Sequence, residues 1–174
     1  MATLEKLVFE CAEKRFDATL FVTNKTSDHH ENRKRSMGIR QALQSDISRI
    51  MEIRHLVREN RLSDPNLVTA EHCAEFIDRS EIWVWDDEGV VQAFAAGDIR
   101  DGWIWALFVA PEYEGRGIGQ ALLSMACETL RNAGYTVANL STAEGTRAER
   151  FYKENGWVVA HKNGRRELLF YKQL

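Results

Sequence analysis

Three glycines, Gly115, Gly117 and Gly119, alternate within the segment Leu107 to Leu123 (LFVAPEYEGRGIGQALL), between an apolar run ending at Val109 and the start of an apolar helix pattern. Residues without a side chain let the backbone approach a ligand closely, and the first N–H groups of a helix have no intrahelical acceptor. Free donors at the positive end of a helix dipole make a site for phosphate or pyrophosphate. The same glycines would also serve a plain, tight strand-to-helix connection, so the spacing has to discriminate. A P-loop needs Gly-x-x-x-x-Gly-Lys-Ser/Thr, which the chain lacks. A dinucleotide fingerprint needs Gly-x-Gly-x-x-Gly and an acid at the end of the next strand. Here the third glycine falls one residue early, and Thr136 to Leu140 holds no acid.

Other reactive side chains are scattered. Cys11, Cys73 and Cys127 are far apart and odd in number, so they read as small buried hydrophobes in a reducing compartment. His29, His30 and the run Arg33-Lys34-Arg35 read as a solvated tail, because adjacent histidines point apart and have no nearby cysteine. No metal site is expected. Trp83, Trp85, Trp103 and Trp105 alternate along neighbouring strands; core packing is the default, and an aromatic wall for an acceptor is the alternative.

The elements that must position these residues follow from periodicity. The chain has 174 residues, 44% of them hydrophobic and 28% charged, with a formal charge of -3. That is globular composition for one domain, with no cationic excess to drive nucleic-acid binding. No apolar run reaches the roughly 20 residues of a bilayer span, and the N-terminus lacks a signal-peptide profile. A soluble, cytoplasmic protein is expected, in which the sequon at Asn24 has no role. Residues 1–35, with a short helical pattern at Leu4, Leu7, Val8 and Cys11 and then a polar stretch, read as an extension; residues 36–174 read as the folded domain.

Within that domain Met37 to Leu43 predicts a short strand. Ser45 or Asp46 is expected to cap a helix carrying Ile47, Ile50, Met51, Ile53, Leu56 and Val57, and Thr69 a second with Cys73, Phe76 and Ile77. Three strands follow, at Glu81 to Trp85, Val90 to Ile99 and Trp103 to Val109. Asp101-Gly102 is read as a type I′ hairpin turn with positive φ at both centres. A helix through Ile118, Leu122, Leu123, Ala126 and Leu130 then leads to a strand at Thr136 to Leu140. A helix from Thr146 to Asn155 precedes two last strands flanking Asn163-Gly164. The order β-α-α-β-β-β-α-β-α-β-β predicts an α/β (α+β) fold, with a mixed, mostly antiparallel central sheet flanked by helices on both faces.

The glycine loop resembles the coenzyme A loop of the GCN5-related N-acetyltransferase (GNAT) superfamily, Gln/Arg-x-x-Gly-x-Gly/Ala after a strand ending in Val-x-Pro. Here that is Glu114-x-x-Gly117-x-Gly119 after Val109-Ala110-Pro111, and Ala148, Tyr152 and Gly156-Trp157 match the later Ala-x-x-x-Tyr-x-x-x-Gly-aromatic pattern. Glu114 stands where Gln or Arg is usual, and Gly145 where Asn is common. The resemblance implies acetyl-CoA as cosubstrate. The diphosphate would lie on the backbone of Gly115, Arg116, Gly117, Ile118, Gly119 and Gln120, with Gly145 and Ala148 alongside. The backbone of Leu107, Phe108 and Val109 would hold the pantetheine arm and thioester oxygen, in a gap where that strand parts from its neighbour. It also implies Tyr152 as the acid for the departing thiolate.

Relatives often carry a carboxylate base on the strand before the loop; Trp103 to Val109 has none, and Glu81, Asp98, Asp101 and Glu144 are the candidates. The implied function is acetyl transfer to a small-molecule amine by direct attack in a ternary complex, with no nucleic acid or membrane partner and a homodimer left open. Acylation of a protein N-terminus or lysine is one alternative. A catalytically silent acyl-CoA sensor or interaction domain is the other. The polar segment Glu59 to Pro65 would border the acceptor.

Overall fold

The computed structural model describes residues 37–56, 69–163 and 166–174. They form a seven-stranded sheet in the order β1-β2-β3-β4-β5-β7-β6, with four α-helices. The strands are β1 (Gly38–Gln41), β2 (Ile82–Asp87), β3 (Val90–Asp98), β4 (Trp103–Val109), β5 (Val137–Ala143), β6 (Val158–Asn163) and β7 (Glu167–Gln173). Every neighbouring pair is antiparallel except β4 and β5, which run parallel. The element order is the one that periodicity predicts.

Helices α1 (Ile47–Leu56) and α2 (Ala70–Asp78) bury Ile50, Ile53, Cys73, Phe76 and Ile77 against one face of the sheet, with Val84 and Phe94. On the opposite face α3 (Ile118–Asn132) presents Leu122, Leu123, Ala126 and Leu130 at helical spacing, packed with Ala93, Ala95 and Ile104. Gly97 lets α3 approach closely, because a β-carbon there would stand 3.0 Å from the Ala126 carbonyl. Helix α4 (Arg147–Glu154) joins that second core through Tyr152. The side-chain oxygens of Thr69 and Thr146 cap α2 and α4, accepting the N–H of His72 and Glu149.

Two expectations and one alternative need correction. Neither Ser45 nor Asp46 caps α1: both lie in a 3₁₀ turn (Gln44–Asp46), and the Asp46 carboxylate reaches back to accept the Leu43 N–H at 2.8 Å. The turn with two positive φ values is Glu88-Gly89 (+53° and +91°), which joins β2 to β3. Asp101-Gly102 ends a four-residue connection in which Gly102 alone has positive φ, closed by Gly102 N–H to the Asp98 carbonyl at 2.9 Å. The tryptophans form no single wall. Ala96 pairs with Ala106 and Gly97 with Ile104, so Trp105 is an unpaired bulge residue that resets strand parity. Trp83 and Trp85 pack on the α3 face, whereas Trp105 packs on the α1/α2 face, 4.8 Å from Phe76. Residues 1–35, Val57, the Glu59 to Pro65 segment and Gly164 lie outside the described residues.

Candidate active site

Strands β4 and β5 meet at one register pair, Trp103 with Asn139, where the Asn139 N–H donates to the Gly102 carbonyl at 3.0 Å. Beyond it they part, while β4 stays paired with β3 as far as Val109. The Ala110 N–H donates to the Gln92 carbonyl at 2.8 Å, which sets the phase of that ladder. By antiparallel alternation Phe108 turns its amide and carbonyl toward β3, and Leu107 and Val109 turn theirs into the gap. Two of the three expected backbone contributors therefore face the opening. The main-chain groups of Phe108 are engaged on the other side.

From Val109 the chain passes through a 3₁₀ turn (Pro111–Tyr113) into the glycine loop. Gly115 and Gly117 have φ of +72° and +78°, a region that favours glycine, and a β-carbon at either would meet nothing within 4 Å. The first helical bond is Ala121 N–H to the Gly117 carbonyl at 3.1 Å. The amides of Ile118, Gly119 and Gln120 precede it and have no intrahelical acceptor. Gly119 differs from the other two: a β-carbon there would rest 3.6 Å from Phe151 and Val109, ordinary contact. The loop is tied down by Tyr113, whose hydroxyl donates to the Asp87 carboxylate at 2.5 Å; that bond holds the phenol pKa above its usual range.

A cleft of about 420 Å³ joins these parts. Leu107, Phe108 and Val109 line it from β4, and Gly115, Gly117, Ile118, Gly119 and Gln120 from the loop and α3. Ala148 and Tyr152 complete it from α4. Two expected residues, Arg116 and Gly145, are not among those lining it. Arg116 lays its guanidinium over the Tyr113 ring at 4.7 Å and donates to the Glu112 carbonyl. Gly145 is the left-handed residue leading into α4 (φ +78°), and its N–H donates to the Glu149 carboxylate at 2.6 Å. The cleft wall also holds Thr142, Tyr113 and Arg147, which motif reading missed. The signal for Thr142 was the β5 alternation Ala138, Leu140, Thr142, which runs past Leu140.

Glu114 does not meet the cleft as a bare anion. Its carboxylate accepts two bonds from the Arg147 guanidinium, one at 2.8 Å, joining the loop to the first turn of α4. Tyr152 is 9% exposed and packs among Phe151, Trp157 and Phe170. Burial, with a smaller contribution from Cys127, raises its pKa well above that of an ordinary tyrosine, so it is a neutral hydroxyl donor at any working pH. The thiol of Cys127 is itself pushed up to about 11 by burial.

The expected base candidates are not gathered here. Glu81 is fully buried and paired with Arg79; Asp98 is held by Arg100, which keeps its carboxyl below the usual range. Asp101 accepts the Trp103 N–H, and Glu144 pairs with Lys162. None of the four lines the cleft.

The model of the acetyltransferase (GNAT) family matches residues 46–157 of the chain. No curated protein matches it. Among solved structures, the PaiA N-acetyltransferase of Thermoplasma acidophilum in complex with coenzyme A is 19% identical with a TM-score of 0.66, covering 80% of this chain and 99% of that one. The ribosomal-protein-alanine N-acetyltransferase of Brucella melitensis is 21% identical with a TM-score of 0.62, covering 78% and 99%. N-acetylglutamate synthase of Neisseria gonorrhoeae, complexed with coenzyme A and N-acetyl-glutamate, is 22% identical with a TM-score of 0.64, covering 82% of this chain and 36% of that one.

Proposed function

The chain belongs to the acetyltransferase (GNAT) family and is an acyl-CoA-dependent N-acetyltransferase, and on that premise we propose that it acetylates the amine of a small molecule by direct attack in a ternary complex. The observation that carries the reading is the parting of β4 from β5 after one register pair, directly continuous with a left-handed glycine loop at the start of α3. Acetyl-CoA supplies the acetyl group as an activated thioester. The unpaired amides of Ile118, Gly119 and Gln120, with the open space at Gly115 and Gly117, fit a diphosphate. The gap-facing main chain of Leu107 and Val109 fits an amide-bearing arm and offers an N–H to a carbonyl oxygen as negative charge develops on it. Tyr152 offers its hydroxyl to the departing sulfur.

Direct attack is supported by the cysteines. Neither Cys73 nor Cys127 lines the cleft, and both thiols are held up by burial, so neither supplies a nucleophile for an acetyl-enzyme. The charge on Glu114, which stands where Gln or Arg is usual in the family, is matched by Arg147. The partly exposed Trp105 and Phe108 on the α1/α2 face of β4 give a small acceptor an aromatic surface. We place the protein in the cytoplasm: no described helix is long and apolar enough to cross a membrane, and Cys73 and Cys127 are free.

The test is calorimetric titration with coenzyme A, followed by thiol release from acetyl-CoA across small amines and N-terminal peptides. Micromolar binding with turnover on small amines is expected. Turnover on peptides alone would transfer the acceptor assignment to proteins, and binding without any turnover would favour the sensor.

A further inference from the structure

Thr142 is the least exposed residue of the cleft wall, at 3%. It follows Ala138 and Leu140 on the inward alternation of β5, two positions that are apolar and fully buried. Its Oγ1 is shielded from solvent and has no hydrogen-bond partner. Valine has the same branched shape and the same strand preference, and would leave no hydroxyl stranded in a core. A threonine here is therefore a cost to the ligand-free fold. The other described side chains with a buried unpartnered atom are Trp85, Trp105 and Trp157, and none of them lines the cleft. Thr142 sits one residue before the end of β5, paired with Leu168 of β7, on the strand from which β4 has parted.

We propose that the Thr142 hydroxyl is a binding residue for the pantetheine arm: a turn about χ1 brings it from its shielded position into the cleft, where it donates to an amide carbonyl oxygen of the arm and acquires the partner it lacks in the free protein. The proposal rests on the coenzyme reading above and adds a side-chain contact to an arm site otherwise built from main chain and the Tyr152 hydroxyl. It carries a thermodynamic signature that a structural role does not share. Replacing the hydroxyl with a methyl group removes an orphaned polar atom from the free state and a hydrogen bond from the bound state, so stability and affinity move in opposite directions.

The test compares wild type, Thr142→Val and Thr142→Ser, full length, by calorimetry with coenzyme A and with adenosine 3′,5′-bisphosphate, a fragment without the arm. Thr142→Val is expected to weaken coenzyme A binding about 5- to 30-fold, the range of one buried hydrogen bond. Its affinity for the fragment should stay within about twofold, and its ligand-free melting temperature should be unchanged or higher by about 2–4 °C. Thr142→Ser should restore coenzyme A affinity. Unchanged coenzyme A affinity in Thr142→Val would overturn the proposal, as would a parallel loss of fragment affinity and melting temperature. Wild type that binds the fragment but not coenzyme A would overturn it too. Wild type that binds neither ligand would instead remove the coenzyme reading on which it stands.

Discussion

Replacing Tyr152 with phenylalanine removes one hydroxyl and little else, because the ring is wedged among Phe151, Trp157 and Phe170 and keeps those contacts. The size of the effect follows from proton affinities. An ordinary tyrosine has a pKa near 10 and a thiol one near 8.5, so full transfer to a thiolate is uphill by about 2 kcal/mol. Burial in this site lifts the tyrosine further and makes transfer harder still. We therefore propose that the hydroxyl acts by holding a hydrogen bond to sulfur as charge gathers there, an interaction with a charged partner worth about 1.5–3 kcal/mol. Tyr152→Phe should lower kcat by about 10- to 150-fold, with KM for acetyl-CoA within about threefold and the melting temperature nearly unchanged. Because the pKa is raised, Tyr152 stays protonated through about pH 10, so it should produce no alkaline fall in kcat between about pH 8 and 10. Steady-state thiol release on both proteins across that range decides the matter. An unchanged kcat would remove Tyr152 from the chemistry. A loss beyond about 1000-fold, or an alkaline limb that the substitution abolishes, would show that it transfers its proton outright and that the hydrogen-bond account is wrong.

The glycines of the loop should separate by backbone conformation. Gly117→Val places a branched side chain on a φ of +78° and in the open cradle, and is expected to abolish coenzyme A binding, whereas Gly119→Ala should bind within about threefold of wild type; calorimetry that finds both tolerated would refute the cradle. Glu114 and Arg147 are 30% and 54% exposed along their side chains, so their coupling belongs to the surface class, about 0.2–1 kcal/mol. A double-mutant cycle of Glu114→Gln and Arg147→Ala on coenzyme A affinity should show a coupling of up to about fivefold in low salt that shrinks in about 0.3 M salt, and strictly additive effects would rule the pairing out of binding. We propose that residues 1–35 lie outside the catalytic unit: a chain beginning at Ser36 should fold cooperatively and retain coenzyme A affinity, and loss of either would assign the segment to the domain.

Local rules carried the reading as far as they reach. Capping of α2 by Thr69 and the helical spacing of Leu122, Leu123, Ala126 and Leu130 are short-range signals, and each stands in the structure where local pattern placed it. What failed depends on register or on distant partners. The Trp105 bulge shifts side-chain parity within a strand whose residues alternate smoothly on paper, so the tryptophans fall on two faces. Asp101-Gly102 has the composition of a tight hairpin, yet the bulge and the four-residue connection leave the two-residue turn to Glu88-Gly89. Thr142 was lost because β5 runs through Ala143, beyond the expected end at Leu140. The Arg147 partner of Glu114 lies 33 residues away, where no local pattern could reveal it.

These particulars bear on why a coenzyme site can be proposed from the chain and an acceptor site cannot. The proposed coenzyme contacts are mostly main chain: three helix amides, two strand residues facing a gap, and two left-handed glycines. Main-chain contacts demand a conformation, and a conformation demands particular residues only where φ is positive or a β-carbon would intrude. Glycine spacing therefore records the proposed site through its conformation. Glu114 illustrates the converse, since a side chain at the loop can change sign provided a cation on α4 answers it. An acceptor is chosen by side-chain chemistry, and side chains can be exchanged in compensating pairs drawn from separate elements. Such pairs leave no fixed spacing behind, so the acceptor has to be found by assay, while the proposed source of its acetyl group, the gap between the parted strands beside Gly117, rests on backbone conformation.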